Sequence, residues 1–359
     1  MSVSERIPVW IDCDPGHDDA MALLLAGHHP RLEVLGISTV FGNQSVEKTT
    51  LNALKVLQVG GLEHIPVYMG QAKPLVRPGL LCPEIHGESG LDIGKKPTEV
   101  PASEAADDAV SSVGFPPLTL RVREGKAVLR MYEHIAASER KVTLVAVGCL
   151  TNVALLLTLY PEVRPLLERI VLMGGAMGVG NISPVAEFNI LNDPEAASVV
   201  FEAGVPLVQV PLEVTHTGAL VTRSVLDRIR ALQRSGAPTE AGDALRTEPG
   251  LSPFLRLITD LLLFFGKTYK EVFGFDDPPL HDPVAVAYVI DPSMFTVEQM
   301  RVDVELQSAM CAGQTVCDIF HMSTKPKNVT MCKRVDSERF WELMYECYAK
   351  ANTLSSMNH

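Results

Sequence analysis

A short apolar run, a polar turn and a helical stretch follow one another repeatedly along this chain, and that alternation restricts the fold more than any other feature. Residues 9–13, 34–40, 142–147, 170–173 and 207–211 are β-rich runs of the kind buried on both faces of a parallel sheet. Helical spacing occupies 18–27, 45–59, a stretch beginning near Thr151, and 194–202. Repeated units of this kind predict an α/β fold built on an open, mainly parallel sheet flanked by helices. Beyond about Met300 the pattern changes to a small C-terminal cap of short strands followed by a helix over 337–351. No internal repeat and no domain boundary is visible. Residues 1–359 are therefore expected to form a single domain, with irregular insertions near 94–117 and 234–253.

Ligands of open parallel sheets bind at the carboxyl ends of the strands. The turns DCDPGHDD, FGN, CLTN and MGG all lie just past a predicted strand, so four polar segments share one sheet edge. The first places Asp12, Asp14, Asp18 and Asp19 within eight residues, with no Lys or Arg nearby. Such a cluster persists only around something positive, or with protons on some of the carboxylates. Asp18 alone reads equally well as a helix cap, but capping does not account for all four. An EF-hand fails on spacing: counting from Asp12, glycine falls fifth rather than sixth, and Leu23 stands where glutamate is needed. A dinucleotide fingerprint fails too, because GGAMGVGN lacks the third glycine. A D-x-D phosphatase start stays open, although P-G-x-D-D is not its pattern. Carboxylate oxygens suit Ca²⁺ or Mg²⁺. Asp14 and Asp19 are candidate ligands, and LHDPVAVAYVIDP offers Asp282 as a second source, with His281 beside it at a helix start. Taken alone, His281 reads as a helix-start histidine with a structural hydrogen bond.

The bulk properties remove other classes. The net charge is −12 and no basic block occurs, which excludes nucleic acid and anionic membrane as expected partners. No apolar run is long enough to span a bilayer, and the N-terminus has no apolar signal core. The seven cysteines are scattered without a C-x-x-C, as befits reduced thiols and a cytoplasmic location.

DCDPGHDDAMALLLA, FGN at 41–43, IHGESGLD at 85–92, LTN at 150–152, VLMGG at 171–175, SPVAEFNILNDPEAA at 183–197 and HDPVAVAYVIDP at 281–292 resemble the inosine-uridine preferring nucleoside hydrolases. The motifs stand in that family's order across roughly residues 8–320 and look most similar to its protozoan and fungal branch. The resemblance implies tightly bound Ca²⁺ and hydrolysis of the N-glycosidic bond of ribonucleosides (inosine, guanosine or uridine) in nucleoside salvage. It also implies a homodimer or homotetramer. By motif, Asp14, Asp19, Asp282 and the backbone carbonyl of Thr151 would hold the calcium, with Asp12 supporting them. Asp18 and Asn43 would hold the ribose 2′- and 3′-hydroxyls. Glu187 and Asn189 would hold the 5′-hydroxyl end, with Asn181 nearby. Asp14 would take the proton of the attacking water and His281 would be the acid on the leaving-group side. His86, Phe188, Tyr269 and Phe273 are candidate walls for the base, and Cys13 and Met173 would pack the site floor. His17 departs from the small apolar residue often found at its place. The two tryptophans, Trp10 and Trp341, lie outside the motifs apart from the first strand, so tryptophan stacking of the base is not expected. Two rival readings remain. A D-x-D phosphatase would use Asp12 as nucleophile but lacks a convincing lysine and late acidic pair. A non-catalytic calcium-binding relative is disfavoured by the intact His281 and Asn189.

Overall fold

The computed structural model describes residues 6–94, 114–235 and 250–359. The irregular stretches expected near 94–117 and 234–253 therefore lie mostly outside the described residues. The strands are β1 (Ile7–Cys13), β2 (Leu32–Thr39), β3 (Val67–Met69), β4 (Val142–Ala146), β5 (Leu167–Met173), β6 (Leu207–Val210), β7 (Phe295–Met300), β8 (Val302–Val304), β9 (Thr315–Cys317) and β10 (Val329–Val335). The helices are α1 (His17–His28), α2 (Val46–Val59), α3 (Pro83–His86), α4 (Ala127–Ala137), α5 (Thr151–Leu159), α6 (Phe188–Asn192), α7 (Pro194–Phe201), α8 (Leu212–Gly218), α9 (Arg223–Ala231), α10 (Pro253–Phe273), α11 (Asp282–Ile290) and α12 (Ser337–Leu354).

Eight strands form one sheet in the order β3-β2-β1-β4-β5-β6-β10-β7. Neighbours run parallel except β7, which is antiparallel to β10 at the edge. The chain leaves β1 for β2 on one side and returns to β4 on the other. This makes the carboxyl ends of β1 and β4 the switch point where a crevice opens. Helices α1, α10, α11 and α12 pack on one face, and α4, α5 and α7 on the other. The C-terminal region divides. Strands β8 and β9 make a separate antiparallel pair, while β10 enters the main sheet between β6 and β7. Val329, Met331 and Cys332 are wholly buried, so β10 needs the cover that a place within the main sheet provides.

Helix α1 shows how packing serves the acidic turn. Met21, Leu23, Leu24 and Leu25 are fully buried, each contributing roughly 1.5–3 kcal/mol of apolar burial. This offsets part of the cost of holding Asp18 and Asp19 out of water at the helix start.

Candidate active site

Strand β1 ends at Cys13, and Pro15 removes the next ladder donor. The chain turns into α1 with the Asp19 carboxylate folded back over the turn. Asp19 accepts the Asp14 amide (3.1 Å) on Oδ1, and the Gly16 amide (3.0 Å) and Asn43 Nδ2 (3.0 Å) on Oδ2. Asn43 also donates its backbone N–H to Asp14 Oδ2 (2.8 Å) and its Nδ2 to the Asp14 carbonyl (3.1 Å). FGN needs its glycine because a Cβ at Gly42 would collide with the Asp14 carboxylate. Asp12 lies one strand position deeper, where Oδ1 accepts the Ser38 hydroxyl and Asn152 Nδ2.

All five acids are buried. Burial pushes Asp12 and Asp18 up to about 7 and Asp19 up to about 6. Asp14 and Asp282 are driven well above the usual carboxylate range, by burial first and then by the charges of Asp19 and Asp18 respectively. Asp18, Asp19 and Asp282 bring one oxygen each within 4.8 Å of one another. Asp14 is outside that trio, yet its Oδ1 is buried without a hydrogen-bond partner, as is Asp12 Oδ2. Asp282 lies within hydrogen-bonding reach of both Asp18 and Asp19. Two carboxyls can share such a bond only with a proton between them, and a divalent cation would replace that proton. Orphaned buried oxygens and all-oxygen donors fit a hard cation.

The opposite wall is built from the ends of β4 and β5. Gly175 sits at φ +71°, a left-handed turn suited to glycine. Its N–H donates to Glu187 Oε2 (2.8 Å). Glu187 caps α6 by accepting from Asn189 N (2.9 Å) and Ile190 N (3.1 Å), and burial pushes it up to about 7. Asn189 Nδ2 bridges the carbonyls of Val147 (2.9 Å) and Met173 (3.2 Å), which pins it across the two strand ends. Asn181 Oδ1 accepts the Phe188 amide (2.9 Å). Thr151 opens α5, and its hydroxyl donates to Asp193 Oδ2 (2.6 Å).

His281 lies between Thr215 Oγ1 on Nδ1 (2.7 Å) and the Tyr269 hydroxyl on Nε2 (2.6 Å). Burial holds His281 well below the ordinary histidine range, with His216 adding to the effect. His86 Nδ1 accepts the backbone N–H of His17 (3.2 Å), so the proton of its neutral ring sits on Nε2. His17 in turn reaches the Asp92 carbonyl through Nε2 (2.8 Å) and stacks on Phe264 and Phe265.

One cavity is lined by Asp18, Asn43, His86, Met173, Asn181, Glu187, Phe188, Asn189, Tyr269, Phe273, His281 and Asp282. Asp12, Asp14, Asp19 and Thr151 do not line it and are buried. Cys13 is also buried, with its thiol pushed well above the ordinary range, so it packs rather than reacts. Trp10 is buried on β1 against Tyr68, and Trp341 is in the core on α12, both away from the lining. Sequence reasoning missed Phe265, Ile85 and Cys82 in the lining, and Thr215 behind His281. For Phe265 a signal existed: Phe265, Tyr269 and Phe273 recur every four residues on α10, one face of a helix.

This geometry can be set beside known proteins. Residues 9–342 match the inosine-uridine preferring nucleoside hydrolase family. The chain belongs to that family. It is 45% identical over 348 residues to a probable ribonucleoside hydrolase of Dictyostelium discoideum, covering 95% of this chain and 94% of the relative. It is 38% identical to the pyrimidine-specific ribonucleoside hydrolase RihB of Escherichia coli, covering 96% and 97% of the two chains. In fold it is similar to a plant nucleoside hydrolase (TM-score 0.77, 28% identity, 96% of this chain and 99% of that one). It is also similar to a purine-preferring ribonucleoside hydrolase from Gardnerella vaginalis (TM-score 0.80, 24% identity, 97% and 100%). This nucleoside hydrolase is thus an enzyme that cleaves ribonucleosides, on the α/β sheet that its sequence predicts. No helix among the described residues is long and apolar enough to cross a membrane.

Proposed function

We propose that the enzyme hydrolyses the N-glycosidic bond of inosine, with guanosine or uridine, in nucleoside salvage, and that it depends on calcium. The observation that carries this reading is the buried acidic cluster with its two unpartnered oxygens, beside a cavity that Asp18 and Asp282 line together with His281 and an aromatic wall. Asp14, Asp19, Asp282 and the Thr151 carbonyl would hold the ion, with Asp18 within reach and Asp12 behind. When bound, the calcium supplies positive charge that gathers the sugar diol and makes a water more acidic.

The chain's own residues do the rest. Asp18 and Asn43 orient the 2′- and 3′-hydroxyls. Glu187, Asn189 and Asn181 close the 5′-hydroxyl end. The C1′–N bond breaks with its electron pair going to the base, through a ribosyl cation that the surrounding carboxylates stabilise. Asp14 takes a proton from the water that adds to C1′, and a proton passed through His281 Nε2 neutralises the departing base. Phe265, Tyr269 and Phe273 supply flat apolar surface for the base, and His86 presents an N–H. A homodimer or homotetramer belongs to the same reading, supported by the large exposed side chains of Met310, Phe320 and Met322.

The test is kcat/KM for inosine, guanosine, uridine, cytidine, adenosine and 2′-deoxyinosine, measured as free ribose or deoxyribose, with p-nitrophenyl phosphate as a phosphatase control. Inosine should be cleaved and the phosphate ester left intact. 2′-Deoxyinosine should be poorer by about 10⁴ or more, because a site that binds a hydroxyl is left with unpaired polar groups when it is missing. Comparable efficiency on inosine and 2′-deoxyinosine would refute the proposed diol contacts. A strong cytidine or adenosine preference would overturn the base assignment alone.

A further inference from the structure

We propose that Gln209 is a positioning residue for Glu187: acting through the Gly174–Gly175 peptide, it fixes the carboxylate that meets the 5′-hydroxyl end of the substrate. This rests on the reading of Glu187 as a ribose contact. Gln209 lies on β6 and is wholly buried. Its Nε2 donates to the Gly174 carbonyl at 2.9 Å. The N–H of the same peptide unit, on Gly175, donates to Glu187 Oε2 at 2.8 Å. Both directions are fixed, because a carbonyl oxygen only accepts and a backbone N–H only donates. One planar peptide is thus held at both edges. The bond from Gln209 polarises that peptide and strengthens the N–H offered to Glu187. The turn leaves room for it: Gly175 sits at φ +71°, and a Cβ there would collide with Gln209 Nε2.

Glu187 Oε2 also accepts the Ile190 amide (3.1 Å), and Oε1 accepts the Asn189 amide (2.9 Å). A carboxylate offers about four acceptor positions, so three backbone donors orient it and leave one for a substrate hydroxyl. Two of those donors stand in the helix that Glu187 itself caps. The third, Gly175, ties the carboxylate to the end of β5. A glutamine that merely satisfies the Gly174 carbonyl would be the simpler role. The hydrogen-bond count argues against it. Gln209 Oε1 is itself buried with no hydrogen-bond partner among the described residues, so one oxygen is satisfied and another left bare. A leucine would also leave one bare oxygen, without the cost of burying an amide. What the glutamine adds is the orientation of the peptide plane. Glu187, on the far edge of that plane, lines the cavity with Asn181 and Asn189, whereas Gln209 does not.

The experiment compares wild type, Gln209→Leu and Gln209→Met on inosine and 5′-deoxyinosine, with thermal midpoints measured alongside. Wild type should favour inosine in kcat/KM by about 10²-fold or more, since a site that binds a hydroxyl rejects the analogue lacking it. Both variants should cut that preference roughly tenfold, the scale of one hydrogen bond to a charged group. The fall should come from inosine, with 5′-deoxyinosine turnover little changed, which also reports an intact site if the midpoint drops. Equal losses on the two substrates, or an unchanged preference, would overturn the role of Gln209. If wild type does not distinguish the two substrates, the reading of Glu187 falls, and this inference with it.

Discussion

Asp14→Ala is expected to lower kcat for inosine by about 10⁴-fold or more. A general base alone contributes roughly 10²–10⁴, and this substitution also removes a proposed metal ligand. The expectation comes from the unequal use of the two Asp14 oxygens. Oδ2 is held by the Asn43 amide at 2.8 Å, which fixes the carboxylate plane. Oδ1 is buried and unpartnered, the position from which a carboxylate can take a proton or hold a cation. Asp14→Asn is the sharper variant, since its amide oxygen can still accept from Asn43 while its basicity is gone. It should lose nearly as much turnover, with less effect on thermal stability. An Asp14→Ala enzyme within tenfold of wild type would mean that the water is activated elsewhere.

His281→Ala should separate substrates by leaving group. Natural nucleosides should lose roughly 10²–10⁴ in kcat, the range for a positioned acid, because protonation matters only in the transition state. p-Nitrophenyl riboside should be affected little. His281 lies against the cavity between Thr215 and Tyr269, next to Asp282 at the start of α11. A purely structural role at that place would disturb Asp282 and slow both substrates alike. Equal losses would therefore assign His281 to positioning the sugar or the cation.

The sequence made some parts of this architecture legible and hid others for physical reasons. The strands that carry the site are continuous apolar runs ending in polar turns, so local pattern locates them. The acidic cluster was visible because four of its members are within eight residues. The position of β10 was not, since it depends on a pairing with β6 more than a hundred residues earlier. Asn43 shows a different limit. Its motif points to the ribose, yet its Nδ2 and backbone N–H are spent on Asp14 and Asp19, so it also braces the acids. Thr215 carried no signal at all. Its bond to His281 exists only because α8 and the turn before α11 pack together, which no spacing along the chain encodes.

In the proposed reaction a cation held by Asp14, Asp19 and Asp282 organises ribonucleoside hydrolysis at the carboxyl ends of β1 and β4. The most direct measurement is the initial rate of ribose release from inosine by protein stripped with chelator, before and after stepwise return of Ca²⁺, with metal content followed in parallel. Activity should be lost on stripping and should recover to saturation at about one Ca²⁺ per chain, the stoichiometry of a single closed oxygen cage. Full activity in protein shown to contain no divalent cation would contradict it.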